Sequence, residues 1–225
     1  MINHRLVNIS LITFGVIALV LIIFPMLDID ISNLFYEKNV GFKYRKQAIL
    51  MFFFEAVPTF TKIFALICVS YLIYLFAKFK SFKKIISSWA FFLVISAVLG
   101  PGVGVNMILK ENFGRARPRE IIEFGGNKIF SGAPLISDQC HKNCSFPSGH
   151  AAMGYYFTSI AYTYRQKYFT RIYLTTMLFG SIVALSRVMM GGHFASDVII
   201  SAFLILLLNH LIYKLWKKRL SILKI

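Results

Sequence analysis

Three short polar blocks stand inside or beside strongly apolar sequence, and each combines cations or histidines with proline, serine or glycine. Isolated polar groups are costly in apolar surroundings, so their presence there requires a chemical reason. A phosphoryl group in transfer spreads negative charge over its oxygens and is stabilised by positioned cations and N–H donors. The blocks therefore indicate a phosphate site; they are Lys110–Pro118 (KENFGRARP), Pro147–His150 (PSGH) and Ser186–Asp197 (SRVMMGGHFASD).

The cations of the first and third blocks are the candidate phosphate ligands. The planar fork of arginine binds two oxygens at once, and lysine adds a compact charge. Lys110, Arg117 and Arg187 come from three separate parts of the chain. If they converge, they form a clamp around the phosphoryl oxygens.

The PSGH block is predicted to supply hydrogen-bond donors and an acid. Ser148 and Gly149 lie where a helix should begin, so their backbone N–H groups can point at an anion. The Ser148 hydroxyl can add a further hydrogen bond. His150 follows immediately and can protonate a leaving alkoxide.

The third block contains the candidate nucleophile. His193 and Asp197 are four residues apart at the start of an apolar run, so on a helix they share one face. Asp197 can then accept a hydrogen bond from one ring nitrogen of His193 and leave the other free to attack phosphorus. Each block alone has a simpler explanation, such as a helix start, a packed His/Asp pair or an interfacial anchor. Their occurrence together favours the phosphate site.

The elements that must position these residues are predicted to be membrane-spanning helices. The 225-residue chain is 57% hydrophobic and 15% charged, whereas a soluble domain has about 25% charged residues. Its net charge of +16 is not arranged as a basic stripe, so no nucleic-acid partner is expected. Apolar runs long enough to cross a bilayer predict an all-α, polytopic bundle of six transmembrane helices in a single domain. The spans cover roughly 6–26, 57–77, 86–108, 150–164, 172–190 and 194–213.

Charge placement predicts the orientation of the bundle. One set of helix ends carries many cations and no acidic residue, and the positive-inside rule makes it cytoplasmic, together with both termini. All three blocks then face outward, which means the periplasm in a Gram-negative bacterium. The cytoplasmic cations are Arg5, Lys78, Lys80, Lys83, Lys84, Arg165, Lys167, Arg171, Lys214, Lys217, Lys218, Arg219 and Lys224. The acids on the outer side or at its edge are Asp28, Asp30, Glu37, Glu55, Glu111, Glu120, Glu123, Asp138 and Asp197.

Two cysteines, Cys140 and Cys144, lie in the predicted outer loop just before PSGH. An oxidising compartment permits a disulfide between them, and free thiols are the second interpretation. A metal site with His141 would lack a fourth ligand and the usual spacing.

Together, the blocks resemble the three-part signature of the type-2 phosphatidic acid phosphatase superfamily: Lys-x6-Arg-Pro, Pro-Ser-Gly-His and Ser-Arg-x5-His-x3-Asp. Every defining position is matched, from the third span onward. The resemblance implies a single membrane phosphatase domain over residues 1–225, with core motifs in 110–197, that hydrolyses a phosphate monoester without a metal or other cofactor. It implies that His193 forms a phosphohistidine, Asp197 orients it and His150 protonates the leaving group, while Lys110, Arg117, Ser148, Gly149 and Arg187 hold the phosphoryl oxygens.

The loop over residues 123–146 further resembles bacterial lipid A phosphatases that act at the 1- or 4′-position. The expected partner is therefore a membrane lipid, with lipid A cleaved at the periplasmic face of the bacterial inner membrane. Alternatives are phosphatidylglycerophosphate, phosphatidic acid or undecaprenyl diphosphate as substrate. The non-enzymatic alternative is a phosphate or lipid transporter, although transporters typically show repeat-related broken helices. The sequence carries no signal for an oligomeric state. Further substrate contacts, or else exposed surface charges, are expected at Arg115, Arg119, Lys128 and Lys142.

Overall fold

The computed structural model describes residues 3–110 and 112–222. Its architecture is a bundle of long helices with one small hairpin, so the all-α prediction is confirmed. Glu111 and Lys224, used above to assign the orientation, lie outside the described residues. The helices are α1 (His4–Ile23), α2 (Leu27–Asn33), α3 (Ala48–Phe79), α4 (Phe82–Ile86), α5 (Trp89–Ala97), α6 (Gly149–Tyr156), α7 (Gln166–Met189) and α8 (Ala195–Ile222). The antiparallel strands β1 (Tyr36–Glu37) and β2 (Gly41–Phe42) connect α2 to α3.

Among the described residues, five helical segments are long and apolar enough to cross a membrane: α1, α3, α5 with its continuation, α7 and α8. The fourth predicted span differs, because α6 is short and continues as a 3-10 helix over Phe157–Thr163. A 3-10 helix rises about 2.0 Å per residue against 1.5 Å in an α-helix, so the two pieces together extend about 26 Å. This segment packs on α3, α7 and α8, and protein contacts on several sides make its irregular backbone tolerable at membrane depth. The predicted count of six helices is therefore approximate.

The third span changes helix type part-way along. α5 continues as a π-helical segment over Val98–Leu109, which contains Pro101. Proline has no backbone N–H and cannot continue the α-helical hydrogen bonding, which fits its position inside the wider helix. The Asn106 side chain donates to the Pro101 carbonyl at 2.6 Å. The segment ends just before Lys110, and so places that cation at the end of this helix.

Close packing with α7 and α8 holds α6 and its 3-10 continuation in place. A Cβ atom built on Gly154 would lie 3.1 Å from the Cα of Gly180, so α6 and α7 approach closely where both lack side chains. Where α6 passes into its 3-10 continuation, Asn209 of α8 donates to the Thr158 hydroxyl at 3.0 Å and to the Tyr156 carbonyl at 3.4 Å. These contacts tie the irregular segment to α8.

Candidate functional site

A cavity of about 370 Å³, the catalytic cavity, lies at the end of the bundle where the three sequence blocks meet. Lys110 follows the π-helical segment, Arg117 lies in the next loop, and Arg187 lies in the last turn of α7. All three cations line the cavity together with His150. The structure thus brings into one place the cations that a phosphoryl clamp would need.

Arg187 is held with part of its guanidinium unsatisfied. Its side chain is 3% exposed, and within residues 3–110 and 112–222 its Nε has no hydrogen-bond partner. The guanidinium carbon lies 4.6 Å from the ring centroid of Phe54, while Nη1 contacts the Met190 sulfur at 3.5 Å. Since a buried N–H without an acceptor is costly, this donor is suited to an incoming anion. A Cβ atom at Gly192 would lie 2.5 Å from Nη2, so any larger residue there would displace the guanidinium.

Arg117 is positioned by backbone carbonyls of two loops. Its Nη2 donates to the Asn143 carbonyl at 2.6 Å and to the Asn143 side chain at 3.0 Å, and Nη1 donates to the Gly192 carbonyl at 3.2 Å. Asn143 lies inside a ring closed by a disulfide between Cys140 and Cys144, whose Cα atoms are 5.5 Å apart. The outer loop therefore holds one edge of the guanidinium and leaves the side chain on the cavity wall.

Ser148 caps α6, and its groups are engaged within the protein. Its hydroxyl accepts from the Ala151 N–H at 3.3 Å, and its own N–H donates to the Ser201 hydroxyl at 2.9 Å. The sequence predicts that this N–H faces an anion, but in the structure it points to α8. The amides of Gly149 and His150 lie in the first helical turn and have no α-helical acceptor. They are the backbone donors left for an anion at this helix start.

His150 lies on Phe54, a residue that sequence reasoning missed. The two rings stack with centroids 4.8 Å apart, and Nε2 of the histidine lies 3.1 Å from the Phe54 carbonyl. A carbonyl oxygen only accepts hydrogen bonds, so Nε2 carries a proton in this arrangement. Phe54 thus supports both His150 and Arg187. In a run of apolar residues nothing marks one phenylalanine as different.

His193 is 1% exposed and has its two ring nitrogens in different surroundings. Nδ1 lies 2.6 Å from the Ser145 carbonyl, which can only accept, so Nδ1 carries the proton and Nε2 keeps its lone pair. Asp197 was expected to take this hydrogen bond, but its Oδ2 lies 3.7 Å from Nδ1. The Ser145 carbonyl therefore sets the tautomer, and Asp197 acts on the ring at longer range.

The electrostatic surroundings keep His193 neutral. Burial lowers its pKa well below the ordinary value, and the positive charges of Arg187, Arg117 and Lys110 lower it further. A neutral imidazole has the lone pair that a nucleophile requires. The arrangement can therefore perform nucleophilic attack on a bound phosphoryl group.

Comparison with known proteins identifies the family. The family model described as "PAP2 superfamily" matches residues 90–221, more than half of the chain. The chain belongs to the PAP2 superfamily. A lipid A 4′-phosphatase from Francisella tularensis subsp. novicida is 32% identical over 208 residues, which cover 88% of this chain and 90% of that protein. A lipid A 1-phosphatase from Rhizobium etli is 29% identical and covers 76% of this chain and 73% of its own length. A lipid A 4′-phosphatase from Rhizobium leguminosarum is 33% identical over 46% of this chain and 44% of its own length. No solved structure gave a match.

Membership of the PAP2 superfamily confirms the resemblance drawn from the three motifs. Together with the lipid A phosphatases among its relatives, it makes this chain a phosphoric monoester hydrolase. The apolar helices make it an integral membrane protein. In the part of the chain that the structure describes, no three His, Cys, Asp or Glu residues are grouped as a metal site would need.

Behind the PAP2 motif residues lies a buried ionic network that sequence reasoning missed. Arg115 is 1% exposed, so it is neither a surface charge nor a substrate contact as expected. It donates to Asp197 Oδ1 at 2.5 Å, to Asp28 Oδ2 at 2.9 Å and to the Ser131 carbonyl at 2.7 Å. Its guanidinium carbon lies 4.2 Å from the ring centroid of Phe194. An acid just after the first apolar run and an arginine between two motif positions were the signals that could have suggested this pair.

Proposed function

We propose that this PAP2 phosphatase removes a phosphate monoester from lipid A, at the 4′-position in preference to the 1-position. Support comes from the Francisella relative named a lipid A 4′-phosphatase, which matches nearly the full length of both chains. A relative named a lipid A 1-phosphatase also matches most of the chain, which makes the 1-position the alternative. Phosphatidylglycerophosphate is the alternative substrate in the test below. Phosphatidic acid and undecaprenyl diphosphate are the substrates to assay next if neither lipid is cleaved.

The proposed reaction has two displacements at phosphorus. Nε2 of His193 forms a bond to phosphorus as the bond to the sugar oxygen breaks. The negative charge of the bound phosphate favours a second proton on the His150 ring, on Nδ1, and that proton passes to the sugar oxygen. A water molecule then attacks the phosphohistidine and gives a proton to His150, the N–P bond breaks, and inorganic phosphate leaves. Lys110, Arg117 and Arg187 stabilise the phosphoryl oxygens in both steps.

One observation carries this mechanism. The Ser145 carbonyl fixes the proton of His193 on Nδ1, and the remaining nitrogen belongs to a ring whose pKa is lowered by burial and lowered further by the cations of the catalytic cavity. A site that only bound phosphate would gain nothing from a buried, neutral histidine with a fixed tautomer. The non-enzymatic alternative of a transporter is therefore not favoured by the geometry.

The test uses the full chain purified in detergent with EDTA present. Wild type, His193→Ala and the exposed-loop control His141→Ala are incubated with bis-phosphorylated lipid A and, separately, with phosphatidylglycerophosphate. We expect wild type and the control to release one phosphate from lipid A, with fragment masses that locate the loss, and His193→Ala to release none. Turnover by His193→Ala at the wild-type rate would overturn the mechanism. Turnover of phosphatidylglycerophosphate alone would show that this lipid, and not lipid A, is the substrate.

A second measurement tests the covalent step directly. We expect a rapid alkaline quench during turnover to leave the mass of a phosphoryl group on the peptide that contains His193, because a phosphoramidate bond withstands base better than acid. The same peptide from the Asp197→Ala variant should carry less of it. Phosphorylation of a different peptide would reassign the nucleophile.

We also propose that residues 1–225 form one phosphatase domain in the bacterial inner membrane, with cytoplasmic termini and a periplasmic site. Support for one domain comes from Asp28, which contacts the site from outside the core motifs. Support for the orientation comes from the cations near the opposite helix ends. In intact cells an impermeant thiol reagent should label an Asp138→Cys variant but not Lys218→Cys. The reverse pattern would overturn the orientation.

A further inference from the structure

A second cavity, of about 510 Å³, adjoins the catalytic cavity. Its lining includes the β-hairpin residues Gly41 and Phe42, together with Phe124 from the outer loop. Three cations line both cavities and form what we call the shared wall: Arg45, Lys46 and Arg119. The two cavities therefore have a positively charged wall in common.

The second cavity has a rigid aromatic support. The rings of Phe42 and Phe124 have centroids 5.4 Å apart, and Tyr36 packs on Phe124 at 5.0 Å. This cluster fixes the hairpin against the loop that carries Arg119, whose N–H donates to the Gly191 carbonyl at 3.3 Å. The cluster therefore forms one side of the second cavity.

The cations of the shared wall form no ion pair with a carboxylate of residues 3–110 and 112–222. No Asp or Glu there lies within ion-pair distance of Arg45, Lys46 or Arg119, although the charge of Glu120 acts on Arg119 from farther away. The nearby acids are already paired, since Glu120 contacts Lys128 and Glu37 contacts Lys43, each at 3.2 Å.

Like charges crowd this wall. Burial lowers the pKa of the Arg119 guanidinium, and the positive charges of Arg117 and Arg45 lower it further. Crowded cations of this kind raise the energy of the protein and attract anions.

The number of cations exceeds what one phosphate requires. A phosphate monoester carries a charge of about −1.5 to −2 at neutral pH, and Lys110, Arg117 and Arg187 already line the catalytic cavity. The shared wall adds three further cations between that site and the second cavity. We propose that the second cavity binds a second phosphate group of the same substrate molecule, so that the enzyme selects lipids that carry two phosphates.

This inference rests on the proposed function and deepens it, because the relatives' names place phosphates at two positions of one lipid. The group that is cleaved occupies the catalytic cavity, while the group that is retained contacts Arg45 and Lys46. The second phosphate is retained because His150, the proposed acid, lines the catalytic cavity and is not in the lining of the second cavity. The shared wall therefore acts in selection of the substrate.

The test compares two substrates for each variant. Initial rates give kcat/KM for bis-phosphorylated lipid A and for the mono-phosphorylated lipid that keeps only the cleavable group. Wild type should favour the bis-phosphorylated lipid, and Arg45→Gln and Lys46→Gln should each lower that ratio roughly ten- to a hundredfold, because each removes a charge-assisted contact. The control is Lys38→Gln, on the turn of the same hairpin but in the lining of neither cavity, and its ratio should equal that of wild type.

Equal losses on both substrates would overturn the proposal, because the shared wall would then serve only the phosphate that is cleaved. An unchanged ratio would overturn it as well. If the proposed function is wrong, the result is different: wild type does not turn over lipid A. In that case the same ratio is measured between phosphatidylglycerophosphate, which has two phosphates, and phosphatidic acid, which has one, with the same outcomes for and against.

Discussion

Nη1 of Arg115 lies 2.5 Å from Oδ1 of Asp197, and both side chains are buried. The other carboxylate oxygen accepts from the Ser145 hydroxyl at 2.5 Å and from the Phe194 N–H at 2.8 Å. One aspartate therefore joins three chain segments that surround His193. Its main contribution is to hold the Ser145 carbonyl and the histidine in register, and a direct hydrogen bond to the ring is not needed for that.

Replacing Arg115 by lysine should disturb this arrangement while keeping the charge. An ammonium group cannot reach Asp197, Asp28 and the Ser131 carbonyl at once, as the guanidinium fork does. We expect kcat to fall at least about tenfold with little change in KM, and stability to fall by about 3–5 kcal/mol if the pair with either acid is lost. Initial rates and thermal unfolding in detergent measure the two effects.

A matched control for that change is Lys128→Gln. Lys128 pairs with Glu120 at 3.2 Å, but both side chains are about one-third exposed. Exposed pairs contribute about 0–1 kcal/mol, so rates and melting temperature should stay near wild type. Equal effects of the two substitutions would show that Arg115 has no special role in positioning.

Asp28 should destabilise the folded protein once Arg115 is replaced. In an Arg115→Gln variant, Asp28 and Asp197 face each other without the cation between them. Adding Asp28→Asn removes one of the two negative charges and should recover part of the lost stability. A double variant that unfolds at a lower temperature than Arg115→Gln alone would contradict this electrostatic account.

The contact between Gly149 and Asn106 should be visible as a suppressor pair. A Cβ atom on Gly149 would overlap Oδ1 of Asn106. The Asn106 side chain is held in place because its Nδ2 donates to the Pro101 carbonyl. Gly149→Ala should therefore shift the start of α6, at a cost of about 1–3 kcal/mol, and lower kcat/KM. Adding Asn106→Ala makes room and should restore part of the activity. No recovery in the double variant, with Asn106→Ala alone active, would argue against the contact.

The disulfide should influence substrate binding through Arg117. Asn143, which accepts three hydrogen bonds from that guanidinium, lies between Cys140 and Cys144. Opening the ring frees Asn143 to move, so KM should rise roughly tenfold after reduction verified by mass, as expected for lost hydrogen bonds to a charged group. The Cys140→Ser/Cys144→Ser double variant should show the same KM and no response to reductant. An unchanged KM after full reduction would exclude this role.

The sequence predicts the parts of this site that depend on residue type and fails where backbone or distant contacts decide. Lys110, Arg117 and Arg187 were identified because only cations with planar or compact heads suit a phosphoryl group. Ser145 was not, because it acts on His193 through a backbone carbonyl that any residue carries. Phe54 was missed since its aromatic neighbours in the chain are indistinguishable from it by composition.

The fold, like the site, has parts that the sequence predicts and parts that only long-range contacts determine. Long apolar runs predicted α1, α7 and α8 because a spanning helix needs a minimum length of apolar sequence. The segment that begins at Gly149 does not have this minimum length of α-helix, because its 3-10 continuation covers more distance per residue than an α-helix. Its hydrogen bonds to Asn209 of α8 are long-range contacts that no local pattern encodes.

The neutral state of His193 can be measured by NMR on protein with labelled histidines, with its signal assigned by its loss in His193→Asn. Burial disfavours the charged ring, and Arg187 and Arg117 oppose an added positive charge, so the pKa is lowered. As pH falls, the lone pair is lost only when the ring is protonated; a lowered pKa therefore keeps the nucleophile intact to lower pH. We expect a titration midpoint below the ordinary value of about 6.5.

Two perturbations test the cause of that shift and its sign. Saturating inorganic phosphate places negative charge beside the ring, favours the protonated form and should raise the midpoint. Arg187→Gln removes one repelling charge and should also raise it, although by less than full exposure to water would. A midpoint at or above about 6.5 in the ligand-free protein would contradict the lowered pKa, and a midpoint well above neutral pH would mean that the ring is mostly protonated there. His193 would then lack its lone pair, and the covalent mechanism would need another nucleophile.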